Sequence, residues 1–179
     1  MGERTEEREL LKELDDDTYA ELTFMHLRDL WAVDGLYFLG IEERFGTEAA
    51  TQIDANVWKV MGKIEGRRIK KLLGLGEDIP SMIRGLKFSG WSMDLEDKEW
   101  EELPDGSVLL RITDCRIQNS RLKDGLGVFP CKRVRWGFLK SFARVFNENI
   151  EVVCNQCPPD ELEKGKWCEW VFVMKGDEK

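Results

Sequence analysis

Histidine is almost missing from this chain of 179 residues: His26 is the single copy. Any Ser–His–Asp or Cys–His arrangement would have to use it, which argues against papain-like chemistry. His26 falls in a helical stretch remote from the cysteines and reads as a structural residue. No apolar run approaches the roughly 18 residues of a membrane span. The N-terminal stretch has no hydrophobic core of a signal peptide. Gly2 after Met1 is followed by charged residues, a poor myristoylation context. Together these absences predict a cytoplasmic chain that does not enter a membrane. Phosphate-loop grammar is missing too, because Gly74, Leu75 and Gly76 lack a following lysine and serine. There is no internal repeat and no low-complexity stretch. Cysteine is absent from the first 114 residues.

All five cysteines fall after residue 114, at Cys115, Cys131, Cys154, Cys157 and Cys168. In the cytoplasm, clustered thiols read as metal ligands or reactive groups rather than disulfides, and an odd count agrees. Cys154 and Cys157 have chelating spacing, and Cys168 opens the next strand of the same hairpin. Cys131 follows Pro130 at a predicted helix N-terminus beside Lys132 and Arg133, where thiolate is favoured over thiol. Three or four thiolates in one place prefer zinc, with an iron–sulfur centre second. The expected ligands are therefore Cys131, Cys154, Cys157 and Cys168. The alternative is that they are buried small hydrophobes. Cys115 reads as an ordinary strand cysteine, but Asp114, Cys115, Arg116 and Gln118 put polar groups at a strand end where a ligand could be read.

The net charge of −8 argues against nucleic-acid binding. It is uneven: residues 111–144 carry nine Lys/Arg against Asp114 and Asp124. That block suits either an anion or a solvated face paired with the acidic half. Glu42, Glu43 and the carboxylates from Asp94 to Glu102 read as solvated faces.

Periodicity predicts a single α+β domain over 1–179. A charged N-terminal extension (1–17) includes a short helix over 3–14. A helical layer (18–85) has helices over Thr18–Phe45 and Thr47–Leu73, stopped by Gly46 and by Gly74, and a further helical turn over 78–85. Gly62 and Gly66, four apart on one helix, suit close helix–helix approach. A β-β-α-β-β unit (86–175) follows. Its strands are predicted over Leu86–Leu95, Val108–Ile117, Ile150–Cys154 and Trp167–Met174, with a loop over 119–129 and a helix from Pro130 to Asn147. The aromatic residues suit a core, or an apolar pocket with a few polar groups. Trp91, Cys115, Arg116 and Trp136 are the candidate ligand-binding residues; no catalytic residue is assigned.

Phe45, Gly46, Thr47, Glu48, Ala49 and Ala50, with Gly62 and Gly66 beyond, resemble the helical part of 4-vinyl reductase domains. Glu151 and Cys154 on one strand, then Cys168 opening the last, resemble the end of those domains. Their superfamily includes haem nitric-oxide-binding domains, phenol-sensing domains and TRAPP vesicle-tethering subunits. The resemblance covers residues 40–75 and 85–175 and implies a 4-vinyl reductase-like fold. Its sensor members hold zinc at this corner, which by position implies Cys131, Glu151, Cys154 and Cys168. Here Cys157 is an extra thiol, so either it or Glu151 completes the shell. Two further motifs, Cys115 to Gln118 and Phe129 to Lys132, together with Cys154 through Asp160, resemble an uncharacterised prokaryotic domain family. A looser similarity exists to the L-2-amino-thiazoline-4-carboxylate hydrolase family. The resemblance implies a sensor-like domain, and a homodimer paired through its helices. Its ligand would be a small apolar or anionic molecule beside structural zinc. The alternatives are a hydrolase-like enzyme using Cys131 or a zinc-bound water, and a helix-mediated interaction module.

Overall fold

The computed structural model describes residues 4–176. Met1, Gly2 and Glu3, where the extension and its helix were expected to start, lie outside the described residues. The chain divides into two compact units, one up to Tyr37 and the other from Phe38 onward.

The first unit is helical. Helix α1 spans Thr5–Lys12, and α2 runs Asp16–Phe45 and so continues into the second unit. Asp15 starts α2 by accepting from the Thr18 backbone N–H at 2.7 Å and from its hydroxyl at 3.1 Å. Those bonds hold the Asp15 carboxyl below the usual range. No residue of α2 is buried, although Leu30, Val33, Leu36 and Tyr37 are large and apolar.

The second unit holds the core. Helix α3 spans Thr47–Leu73 between Gly46 at φ 83° and Gly74 at φ 61°, both in left-handed backbone that favours glycine. Helix α4 spans Ile79–Lys87, capped by Asp78 accepting from Ser81 N–H at 2.7 Å. A π-helical turn, Trp91–Leu95, leads into strand β1, Glu96–Glu102. Strand β2, Val108–Cys115, passes directly into helix α5, Arg116–Lys123. Helix α6, Lys132–Phe146, precedes strands β3, Ile150–Gln156, and β4, Cys168–Met174. The sheet is antiparallel in the order β1-β2-β4-β3. The expected α+β class, with helices first and a four-stranded antiparallel sheet after them, is what the structure has.

Helices α3 and α6 meet at the glycines. A Cβ on Gly62 would stand 2.5 Å from the Phe138 carbonyl oxygen, and one on Gly66 3.3 Å from the Phe142 ring. The spacing therefore serves contact inside the chain. Beside it runs an aromatic row: Trp58 to Trp91 at 4.9 Å, Trp91 to Phe138 at 4.6 Å, and Phe138, Phe142 and Phe146 in succession. Leu110, Ile112, Val152, Trp170 and Phe172 form the sheet's buried face. Trp136 on α6 donates its ring N–H to the Val152 carbonyl at 2.9 Å.

Three expected elements differ. The strand predicted over Leu86–Leu95 is the end of α4 and the π-helical turn. Ile79, Met82, Ile83 and Leu86 recur at helical spacing, and the Asp78 cap starts the helix before alternation can matter. The first strand instead is Glu96–Glu102, so charged that it reads as a solvated face. It is an edge strand, where charge protects the unpaired side. The loop expected over 119–129 starts as α5. Gln118 and Arg121, three apart, are the residues that helix buries, so its inward face is polar and carries no hydrophobic signal.

Candidate metal centre

Three chain segments bring thiols together. Cys131 immediately precedes α6 and its carbonyl accepts from Arg135 N–H at 2.9 Å. Cys157 follows β3, after a bulge between Cys154 and Gln156 that ends the regular register. Cys168 opens β4 opposite Ile112. Local bonds fasten these segments to one another. Lys132 N–H donates to the Pro158 carbonyl at 2.9 Å. The Lys132 ammonium meets Asp160 at 2.7 Å, and Asp160 also accepts from Cys157 N–H at 3.2 Å.

Cys131 Sγ lies 3.7 Å from Cys157 Sγ, and Cys157 Sγ lies 3.3 Å from Cys168 Sγ. All three sulfurs fall within 4.8 Å of one another. Thiolates bound at about 2.3 Å to a tetrahedral zinc ion stand about 3.8 Å apart, so these three could hold a metal ion with small adjustments. The thiols share charge unequally. Hydrogen bonds from Cys157 and then Cys168 hold Cys131 well below the usual thiol range, against burial and with help from Arg135 and the Gln118 amide. The same bonds to Cys131 push Cys157 and Cys168 up.

Cys154 is half-buried on β3 opposite Trp170 and is not one of the three. It is near enough to feel the charges of Lys132, Asp160 and Cys131, and burial pushes it up to about 11. Glu151 is exposed, opposite Val173, and pairs with Lys175 at 3.1 Å. Cys115 is buried at the end of β2, and burial followed by the charge of Glu96 pushes it up to about 12. Arg116 is ion-paired with Asp94. Trp91 is buried against Trp58, Phe138 and the Arg135 guanidinium, the last at 4.3 Å. Trp136 is tied to β3 and has the Lys140 ammonium 4.0 Å above its ring.

Three residues matter here more than the sequence indicates: Gln118 reads there only as one polar group at a strand end, and Arg135 and Glu96 as ordinary surface charges. Gln118, buried, accepts from Phe129 N–H and donates to the Phe129 carbonyl, both at 2.9 Å, and reaches Cys131 Sγ at 3.6 Å. Arg135 and Glu96 form a buried ion pair at 2.9 Å. Burial pushes Glu96 up against the pull of Arg135. Glu96 is thus a core residue and not part of a solvated face. Glu42 also departs from that reading, being mostly buried in a bidentate pair with Arg121 at 2.8 and 2.9 Å. No sequence signal marks the two ion pairs, because their partners lie in distant segments. Six of the nine cations in 111–144, namely Arg111, Arg116, Arg121, Lys132, Arg133 and Arg135, are in ion pairs with carboxylates, so the block is largely neutralised within the fold.

A family profile described as "Family of unknown function (DUF6125)" matches residues 12–174. The chain belongs to that family. No curated protein matches it. Among solved structures, it is similar to a trafficking protein particle complex subunit 3 from Naegleria fowleri, covalently bound to palmitic acid. The two share 12% identity over 90% of this chain and 98% of that one, with a TM-score of 0.48. No helix among the described residues is long and apolar enough to cross a membrane.

Proposed function

We propose that this protein is a cytoplasmic, sensor-like, small-molecule-binding domain built on a structural zinc–thiolate site. The observation that carries the metal is the meeting of Cys131, Cys157 and Cys168 within 4.8 Å. Three sulfurs from segments up to 37 residues apart in sequence are soft donors at zinc spacing. Cys154 completes the shell by turning its side chain toward Cys131, whose charge it already feels. Such a site closes the β3–β4 hairpin onto the start of α6. The likeness of the motifs to 4-vinyl reductase domains belongs to the same reading.

Small-molecule binding is supported by polar atoms in the core near Trp91. Arg135 Nε and Ser92 Oγ are buried without a hydrogen-bond partner among the described residues. A polar group on a mainly apolar ligand would satisfy them. The homodimer pairs through the helices. α2 has no buried residue, and α3 leaves Ile53, Val57, Val60 and Ile64 exposed.

A hydrolase-like enzyme is the second reading, and one observation favours it. Only three thiols meet, which leaves one zinc position for water, and Glu96 is a buried, easily protonated carboxyl whose charge reaches Cys131 and Cys168. Zinc analysis of anaerobically purified protein, with X-ray absorption at the zinc edge, separates the readings. About one zinc per chain with four sulfur neighbours is expected. Three sulfurs and one oxygen would favour the enzyme, and protein free of metal would remove the zinc from both, leaving only an enzyme that uses Cys131 itself.

A further inference from the structure

The three clustered thiols differ in access. Cys157 and Cys168 are buried, whereas Cys131 is partly exposed. An outside reagent therefore meets Cys131 first, and finds a second thiol directly behind it at 3.7 Å. A disulfide needs its sulfurs at about 2.0 Å, so closing this pair takes a shift of roughly 1.7 Å. Both residues lie outside the regular elements: Cys131 lies just before α6, and Cys157 lies in the connection after β3. The Lys132–Asp160 and Lys132–Pro158 bonds keep the two segments side by side. Gln118, anchored to the Phe129 backbone, holds the Cys131 sulfur from another direction.

We propose that Cys131 is a peroxide-reactive site and that Cys157 resolves it, forming a Cys131–Cys157 disulfide that releases the metal. Cys131 sulfur attacks one peroxide oxygen; the O–O bond breaks, and the departing hydroxide takes a proton to become water. The sulfenic acid left on Cys131 is attacked by Cys157 sulfur. The S–S bond forms, the S–O bond breaks, and the second oxygen leaves as water with a further proton. The two sulfurs supply two electrons and hydrogen peroxide accepts them. A disulfide has no thiolate to offer, so zinc loses two of its ligands together and departs as a divalent ion. Metal release rests on the zinc reading above, whereas the thiol chemistry stands on the sulfur geometry alone.

The full chain, purified without oxygen and loaded with zinc, is treated with hydrogen peroxide and followed by intact mass, non-reducing peptide mapping and a chromogenic zinc chelator. Wild-type protein is expected to lose two hydrogens, to yield one linked peptide pair joining Cys131 to Cys157, and to release zinc in step. Thiol reductant with added zinc should reverse all three. In Cys157→Ser, a sulfenic-acid reagent should label Cys131. The mapping uses unmodified protein, so it holds even where a variant folds poorly; circular dichroism checks the variants. No disulfide in the wild type, a link that omits Cys131, or a Cys131→Ser protein that forms a disulfide at the wild-type rate would overturn the proposal. A Cys131–Cys157 link in a chain that never takes up zinc upholds the thiol chemistry and sinks only the metal reading. Tightly held zinc with no oxidation sinks only this proposal.

Discussion

Gln118 shows how much one polar side chain can decide. Its amide satisfies both backbone groups of Phe129 and touches Cys131, so it fixes the segment leading to the thiols. Gln118→Leu keeps the volume and removes these bonds, leaving a buried N–H and C=O unpaired. We expect a loss of about 2 kcal/mol or more in denaturant unfolding, and weaker zinc retention. Unchanged stability would contradict this role. Cys115 gives a test by pH. Its thiol titrates at about 12 in the fold against 9.0 as a free side chain. The unfolded chain therefore releases this proton first as pH rises, and unfolding is favoured. The contribution is intact below pH 9.0 and is lost progressively towards pH 12. The decline should be about 1.4 kcal/mol per pH unit from this group within that window. Cys115→Ala should flatten the slope over that window, whatever its effect on absolute stability; an identical slope would refute the assignment.

Among elements, the α3–α6 crossing has the sharpest steric requirement. Gly62→Ala places a methyl 2.5 Å from the Phe138 backbone oxygen, which cannot move without shifting α6. A destabilisation of about 1–3 kcal/mol is expected. Gly66→Ala meets a side-chain carbon at 3.3 Å and should cost less. Gly35 in α2 has nothing within 4 Å of an added Cβ, so Gly35→Ala should stabilise by about 0.5–1 kcal/mol through helix propensity. Thermal melts of the three variants should follow that order; Gly62→Ala melting with the wild type would refute the crossing. Other elements show where the sequence was readable. Helices α2 and α3 were legible because their glycine stops are local signals. Strand β1 was not, because its acidic residues are tolerated only at a sheet edge, and edge position is a property of the finished sheet.

For the whole molecule, the metal and the assembly are the open quantities. If the proposed zinc site is structural, stripping the metal with a strong chelator should loosen the β3–β4 corner and lower the melting temperature by about 10 °C, equivalent to a few kcal/mol in a chain of this size. Re-added zinc should restore it, and an unchanged melt would argue against a structural site. Light scattering at micromolar concentration should give the mass of two chains. A single-chain mass would leave the apolar residues of α2 and the exposed face of α3 without the partner proposed for them.

The sequence by itself determined the order of helices before sheet, the glycine-bounded α3, and the concentration of thiols after residue 114. Each follows from local periodicity, backbone preference or simple spacing. Only the tertiary structure decided which thiols meet. Of the four thiols that spacing gathers, Cys131, Cys157 and Cys168 meet, whereas Cys154 lies on the far side of the bulge before Gln156. The buried pairs Glu96–Arg135 and Glu42–Arg121 were likewise closed to sequence reasoning. A charge reads as solvated until folding brings its partner from 39 or 79 residues away and removes the water from both.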